Sequence, residues 1–265
     1  MVNVRRVPAK SLLSPTQLGG DFAVNPYRGY PHKCIYCYAA CINHTGKQRE
    51  EAWGDYLDVK EQKSAINLSK IFRKRILFSS MTDAYNPYEK KAELTRGIIK
   101  QLIPAEVQLC IITKSALVTR DIDLFKQFPY VKVVFSFSSL DDRFRRLAEP
   151  YAASPAHKIE ALKLLQREGI ATGVMCAPIF PEITQPVEIL KAVAPYIRRI
   201  TFDTLNLRAQ NKAKVLKFVK ELRPDLVQLY DEIYLENKRE YWKNLRKTVK
   251  NACEKYNGLK YSIFF

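Results

Sequence analysis

A chain of 265 residues with 47% hydrophobic and 27% charged residues can bury a sizeable core, which excludes a small disulfide-stapled module and a disordered chain. The 44 Lys and Arg against 27 Asp and Glu leave a formal charge of +17, a field that favours polyanions, with nucleic acid ahead of an anionic membrane surface. No apolar run is long enough to span a bilayer and the opening Met1-Val2-Asn3-Val4-Arg5-Arg6 lacks a signal-peptide stretch, so the expected location is cytoplasmic with no membrane partner.

Apolar runs bounded by turn residues predict strands over 22–25, 75–80, 107–113, 131–137, 170–177 and 199–205, each followed by a helical pattern or a turn leading to one. Val131 to Phe137 is nearly continuous in apolar residues, as in strands covered by helices on both faces. Ser154-Pro155 reads as an N-cap with proline at the first helical position, Ile159, Leu162 and Leu165 keep one apolar face, and Gly169 can end that helix. Six successive β-then-α units imply parallel pairing and right-handed crossovers that curl into a partial barrel. The expected class is therefore α/β, in one domain over 1–265 with its core at about 20–205. A helical segment follows at about 209–256. Within it, 238–256 places Trp242, Leu245, Val249, Ala252 and Tyr256 on one face and Arg239, Lys243, Arg246, Lys247 and Lys250 on or near the other, an amphipathic helix covering the barrel with a solvated basic side.

The strand ends are polar. Thr82 and Asp83 follow the second strand, Thr113 and Lys114 close the third, and Ser136 and Ser138 close the fourth. In barrels the C-terminal strand edge is where chemistry is built, although Ser, Thr and Asp are also ordinary loop-entry residues.

Directly after the first strand, Asn25 to Cys41 carries Cys34, Cys37 and Cys41 in a Cys-x2-Cys-x3-Cys spacing. Three thiolates on one loop can hold three irons of a [4Fe–4S] cluster and leave the fourth open to a ligand. A zinc site is the competing metal reading, since Cys34, Cys37, Cys41 and His44 make a closed Cys3His set with His32 to spare. Buried, metal-free cysteines are the structural alternative. Cys110 and Cys176 sit in apolar strands, where an inert thiol is the ordinary reading.

The segment Asn25-Pro26-Tyr27-Arg28-Gly29-Tyr30-Pro31-His32-Lys33-Cys34-Ile35-Tyr36-Cys37-Tyr38-Ala39 resembles the cluster loop of radical S-adenosylmethionine (SAM) proteins related to spore photoproduct lyase. Within that set it looks most like the group called radical SAM mobile pair protein B. The similarity extends to Trp53-Gly54, Thr82 to Glu89, Thr113-Lys114, Ala177 to Thr184 and Asn206-Leu207-Arg208, and covers roughly residues 20 to 240. The resemblance implies a partial (β/α)6 TIM-like barrel with a [4Fe–4S] cluster at its mouth. It further implies SAM as cofactor, an external one-electron reductant, and reductive cleavage to a 5′-deoxyadenosyl radical. By the same resemblance Cys34 and Cys37 are cluster ligands and Tyr36 is the aromatic beside the adenine. Thr82, Asp83, Lys114, Ser136 and Ser138 fall at contacts to the methionine and ribose portions of the cofactor.

Two positions depart from the pattern. Tyr30 stands where the family has its first cluster cysteine, and a phenol is a poor iron ligand beside a thiolate. Cys41, one helical turn beyond Cys37, is the candidate replacement, although it could equally face the core. The stretch Phe78-Ser79-Ser80-Met81-Thr82 lacks the thiol that spore photoproduct lyases use as hydrogen donor, so that lyase reaction is not implied and no catalytic residue is assigned. Arg28 and Lys33 flank the loop and could guide an anion or offset cluster charge. Three readings follow: a radical SAM enzyme abstracting hydrogen from nucleic acid, a cluster-deficient nucleic-acid-binding protein on the same fold, and a zinc-bound structural loop. Oligomeric state is not encoded in any of these features.

Overall fold

The computed structural model describes residues 2–41, 50–62 and 65–265. In chain order the strands are β1 (Asn3–Ala9), β2 (Leu13–Pro15), β3 (Phe22–Val24), β4 (Tyr27–Arg28), β5 (Tyr56–Gln62), β6 (Arg75–Phe78), β7 (Gln108–Thr113), β8 (Tyr130–Phe137), β9 (Ala171–Ile179), β10 (Arg199–Thr204) and β11 (Lys260–Phe264). The helices are α1 (Leu68–Ile71), α2 (Glu89–Ala92), α3 (Leu94–Leu102), α4 (Ile122–Phe125), α5 (Asp142–Ala148), α6 (Pro155–Arg167), α7 (Pro186–Val193), α8 (Ala209–Leu222), α9 (Val227–Tyr234) and α10 (Glu240–Cys253).

The main sheet has eight strands in the order β11-β10-β9-β8-β7-β6-β3-β2. From β3 to β11 every pairing is parallel, and β2 adds antiparallel to β3 at one end. The six strands expected from the sequence all form and stand side by side, giving the expected α/β, barrel-like architecture. Among the described residues the sheet stays open, with β2 and β11 as its ends. Val133, Phe135 and Phe137 of β8 and Val174 and Cys176 of β9 are almost completely buried, because helices cover these strands. Cys176 belongs to this apolar core. Ser154 caps α6 by accepting from the His157 backbone N–H, Pro155 takes the first position, and Gly169 follows at φ +77°.

Two features lie outside the expected pattern. The 209–256 segment divides into α8, α9 and α10, and the chain then returns as β11, which pairs in parallel with β10. Its five residues are only partly covered, too short and mixed a run for periodicity to reveal. A second, three-stranded sheet has the order β1-β5-β4, with β1 parallel and β4 antiparallel to β5. Through β4 it anchors the start of the cysteine loop.

The turn after β4 depends on one glycine. Gly29 has φ +103°, and an added Cβ would lie 2.3 Å from the backbone oxygen of Tyr56. Both the backbone conformation and the close approach exclude a side chain. Gly29→Ala is expected to lower the unfolding free energy by about 2 kcal/mol or more, read as a fall in urea midpoint at unchanged slope.

Candidate active site

The cysteine loop runs from β4 over the C-terminal ends of β6, β7 and β8. Cys34 and Cys37 are buried, reduced, and linked by a Cys37 N–H to Cys34 C=O turn of 3.2 Å. Burial pushes both thiols up in pKa. At Cys37 the Trp53 indole opposes that rise, and Trp53 Nε1 is itself buried without a hydrogen-bond partner among the described residues.

Asp83, just past β6, ties this loop to the sheet. It accepts from His32 Nε2 at 3.1 Å, from the Lys114 backbone N–H at 2.8 Å, from Thr113 Oγ1 at 2.8 Å and from the Tyr85 backbone N–H at 2.9 Å. Burial alone would raise its carboxyl, but the His32 contact and these donors hold it below the ordinary carboxylate range. His32 Nδ1 faces the Tyr151 carbonyl at 2.9 Å, so both ring nitrogens meet acceptors. Thr82 adds a second tie, donating to the Gly29 carbonyl at 2.7 Å. Thr82 and Asp83 thus fasten the loop, a visible task distinct from the cofactor contact expected of them.

Beside the thiols lies a dry charged cluster. Lys114 Nζ donates to Ser136 Oγ at 2.6 Å and to Glu149 Oε1 at 3.3 Å, and lies 5.5 Å from the centre of the Tyr36 ring. Glu149 also accepts from Ser138 Oγ at 2.9 Å and from the Tyr36 hydroxyl. Ser136 and Ser138 both reach the Ala177 carbonyl. Lys158 enters from α6, donates to the Ser136 carbonyl at 2.9 Å and stands 4.3 Å from the Phe137 ring centre. Burial would raise the Glu149 carboxyl, yet Lys114 and Lys158 override it and hold it at about 2. Burial lowers the Lys158 ammonium to about 8 against the pull of Glu149. Two ammonium groups and one carboxylate, all under 7% exposed, form a buried cluster of net positive charge at the strand ends.

The fold brings Tyr36, Lys114, Ser136 and Ser138 together at the strand ends. Glu149 and Lys158 were not expected. The signal for Lys158 was its place in the inward row with Ala161, Leu162 and Leu165, the spacing that marks a buried helix face. Asn211 of α8 also bears on the loop, donating to the Tyr36 carbonyl at 3.0 Å. Arg28 and Lys33 are neutralised by Asp58 and Asp55, with Arg28 Nε at 2.6 Å from Asp58 and Lys33 Nζ at 2.5 Å from Asp55.

The donors suit an iron–sulfur cluster at two corners. Cys34 and Cys37 present sulfur from one loop, and the unpartnered Trp53 N–H faces that sulfur-rich space. At the third corner stands Tyr30, whose hydroxyl is 3.9 Å from Cys34 Sγ. Burial and the neighbouring Cys34 push this phenol well above its ordinary pKa, so it is held as a neutral, weak donor. The Cys41 side chain and His44, the remaining candidate ligands, lie outside the described residues. Among the described residues no group of three or more His, Cys, Asp or Glu is placed to hold a metal ion.

Substitutions at Glu149, Cys34 and Cys37 test this site. Glu149→Gln leaves two buried ammonium groups without their carboxylate and is expected to cost about 3–5 kcal/mol at pH 7 by urea denaturation. The carboxylate's folded value of about 2 lies below its ordinary 4.5, so its stabilisation is complete above 4.5 and lost as pH falls toward 2, a loss the variant does not show. Cys34→Ser and Cys37→Ser are each expected to lower the iron and sulfide bound per chain after anaerobic reconstitution.

Comparison with known proteins places these observations. The family model described as Radical SAM superfamily matches residues 24–193. An uncharacterized protein of Methanocaldococcus jannaschii is 33% identical over 217 residues, covering 80% of this chain and 82% of the relative. An uncharacterized protein of Acidianus two-tailed virus is 28% identical over 243 residues, covering 82% and 80%. Among solved structures, a variant of spore photoproduct lyase superposes with a TM-score of 0.69 at 18% identity, covering 98% of this chain and 82% of its own. Another variant, solved with bound AdoMet and dinucleoside spore photoproduct, gives 0.65 at 17%, covering 97% and 80%. With the family model spanning well over half its length, this chain belongs to the radical SAM superfamily.

Proposed function

We propose that the protein is a radical SAM enzyme of the spore photoproduct lyase-like class that abstracts hydrogen from a nucleic-acid substrate. The observation that carries the reading is the juxtaposition of two buried thiols with the dry Lys114–Glu149–Lys158 cluster at the strand ends. Cys34 and Cys37 would hold the [4Fe–4S] cluster, with Cys41 as third ligand. Held there and reduced by an external donor, such a cluster would supply one-electron reducing chemistry toward SAM.

The chain's own residues bind, orient and exclude water. An amino acid presents an ammonium and a carboxylate together, and a cluster that sets Glu149 beside Lys114 and Lys158 carries groups complementary to both. Ser136 and Ser138 add hydroxyls that can donate or accept. Tyr36 offers an aromatic face held by Glu149 below and by Phe180 at 5.7 Å between ring centres. Thr82 and Asp83 keep the loop, and with it the thiols, against this charged cluster. The +17 charge supports a polyanionic substrate.

The neutral Tyr30 phenol at the third corner favours one other reading, a nucleic-acid-binding protein that has lost its cluster on the same fold. One experiment separates the two. Anaerobic reconstitution with iron and sulfide, then dithionite and SAM, is expected to give about four irons per chain and 5′-deoxyadenosine. Iron-free protein under those conditions would discard the radical reaction and leave the binding protein.

A further inference from the structure

We propose that the solvent face of α8 is the surface on which the nucleic-acid substrate lays its phosphate backbone beside the active site. The proposal rests on the nucleic-acid reading above and assigns it a place.

The inner face of α8 is part of the site. Val215, Phe218 and Val219 pack into the cluster that contains Cys34, Tyr36 and Cys37, and Asn211 bonds the Tyr36 carbonyl. The opposite face is therefore the outer surface of a helix that packs directly on the cysteine loop. At 100° per residue the buried positions fill one side and Lys212, Lys220, Lys217 and Lys214 fan across the other. Lys214, Lys217 and Lys220 are exposed, and Glu221 is the single acidic side chain of the helix. Among the described residues Lys214 and Lys220 have no ion pair, and Lys217 meets Glu221 only at 3.8 Å. Lys214 also lies close enough to Asp55, the partner of Lys33, to help hold that carboxyl down, which joins the lysine face to the edge of the loop. Lys212 and Lys220 are eight residues apart, about 12 Å along the axis, a span of about three to four nucleotide steps of one strand.

α10 is the built-in contrast. It carries exposed Lys243, Lys247 and Lys250, but packs on α7 and the main core rather than on the cysteine loop. Lys243 and Lys250 face Glu240 and Glu254 at 3.7 and 3.8 Å. If overall charge alone attracted nucleic acid, the two helices would be equivalent.

The test compares two triple charge reversals of equal charge change, K214E/K217E/K220E on α8 and K243E/K247E/K250E on α10. Binding of full-length protein to fluorescein-labelled single-stranded DNA, duplex DNA and RNA is followed by anisotropy across a salt series, with circular dichroism and urea midpoints as fold controls. The α8 variant is expected to bind at least about tenfold more weakly, with a salt slope smaller by about 2, while the α10 variant stays within about threefold of the parent. Equal losses in both variants, or unchanged binding by the α8 variant, would overturn the assignment while leaving the nucleic-acid reading intact. A parent protein that binds none of the three probes, or binds polyglutamate instead, would overturn that reading and the α8 surface with it.

Discussion

The arrangement of the site depends on one buried carboxylate. Asp83 gathers donors from the β7 end, from its own turn and from His32, and so fixes a loop that has little regular structure of its own. A carboxylate 2% exposed is tolerated only when its lone pairs are filled, and here they are. The partners come from three stretches of chain, so the same bonds that satisfy the charge also set the position of the thiols over the strand ends. The small β1-β5-β4 sheet and Gly29 act on the other end of the loop, delivering the chain to Asp83 through a turn that no side chain could enter.

The second constraint is an imbalance of charge. Lys114, Lys158 and Glu149 are withdrawn from water within one hydrogen-bonded group, where each charge is worth more to its neighbours than at the surface. Two cations against one anion leave the cluster with a net positive charge, which an anionic group beside it would stabilise. Tyr30 has the opposite character. Its phenol sits among thiols and carboxylates that all disfavour its ionisation, so it contributes bulk and a weak hydrogen bond where a sulfur would contribute charge.

Much of the fold was legible in the sequence. The β-branched and aromatic runs such as Val131 to Phe137 carry their own strand signal, because burial on both faces demands uninterrupted apolar side chains. The Ser154-Pro155 cap and Gly169 were local chemistry, readable from neighbouring residues alone. β11 was not readable, since five half-covered residues become a strand only by pairing with β10.

The sequence by itself determined the parallel α/β core, the position of the cysteine loop after the first parallel strand, and the polar strand ends at Thr82, Asp83, Lys114, Ser136 and Ser138. These are properties of short stretches, set by side-chain periodicity and spacing. Tertiary structure decided what those residues do. Only long-range packing could show that Asp83 is occupied in holding His32, that Arg28 and Lys33 are already paired, and that Lys158 meets the Ser136 carbonyl. The physical reason is that a charge's role is set by its partners and its solvation, and for these groups the partners lie 22 to 119 positions away in the chain.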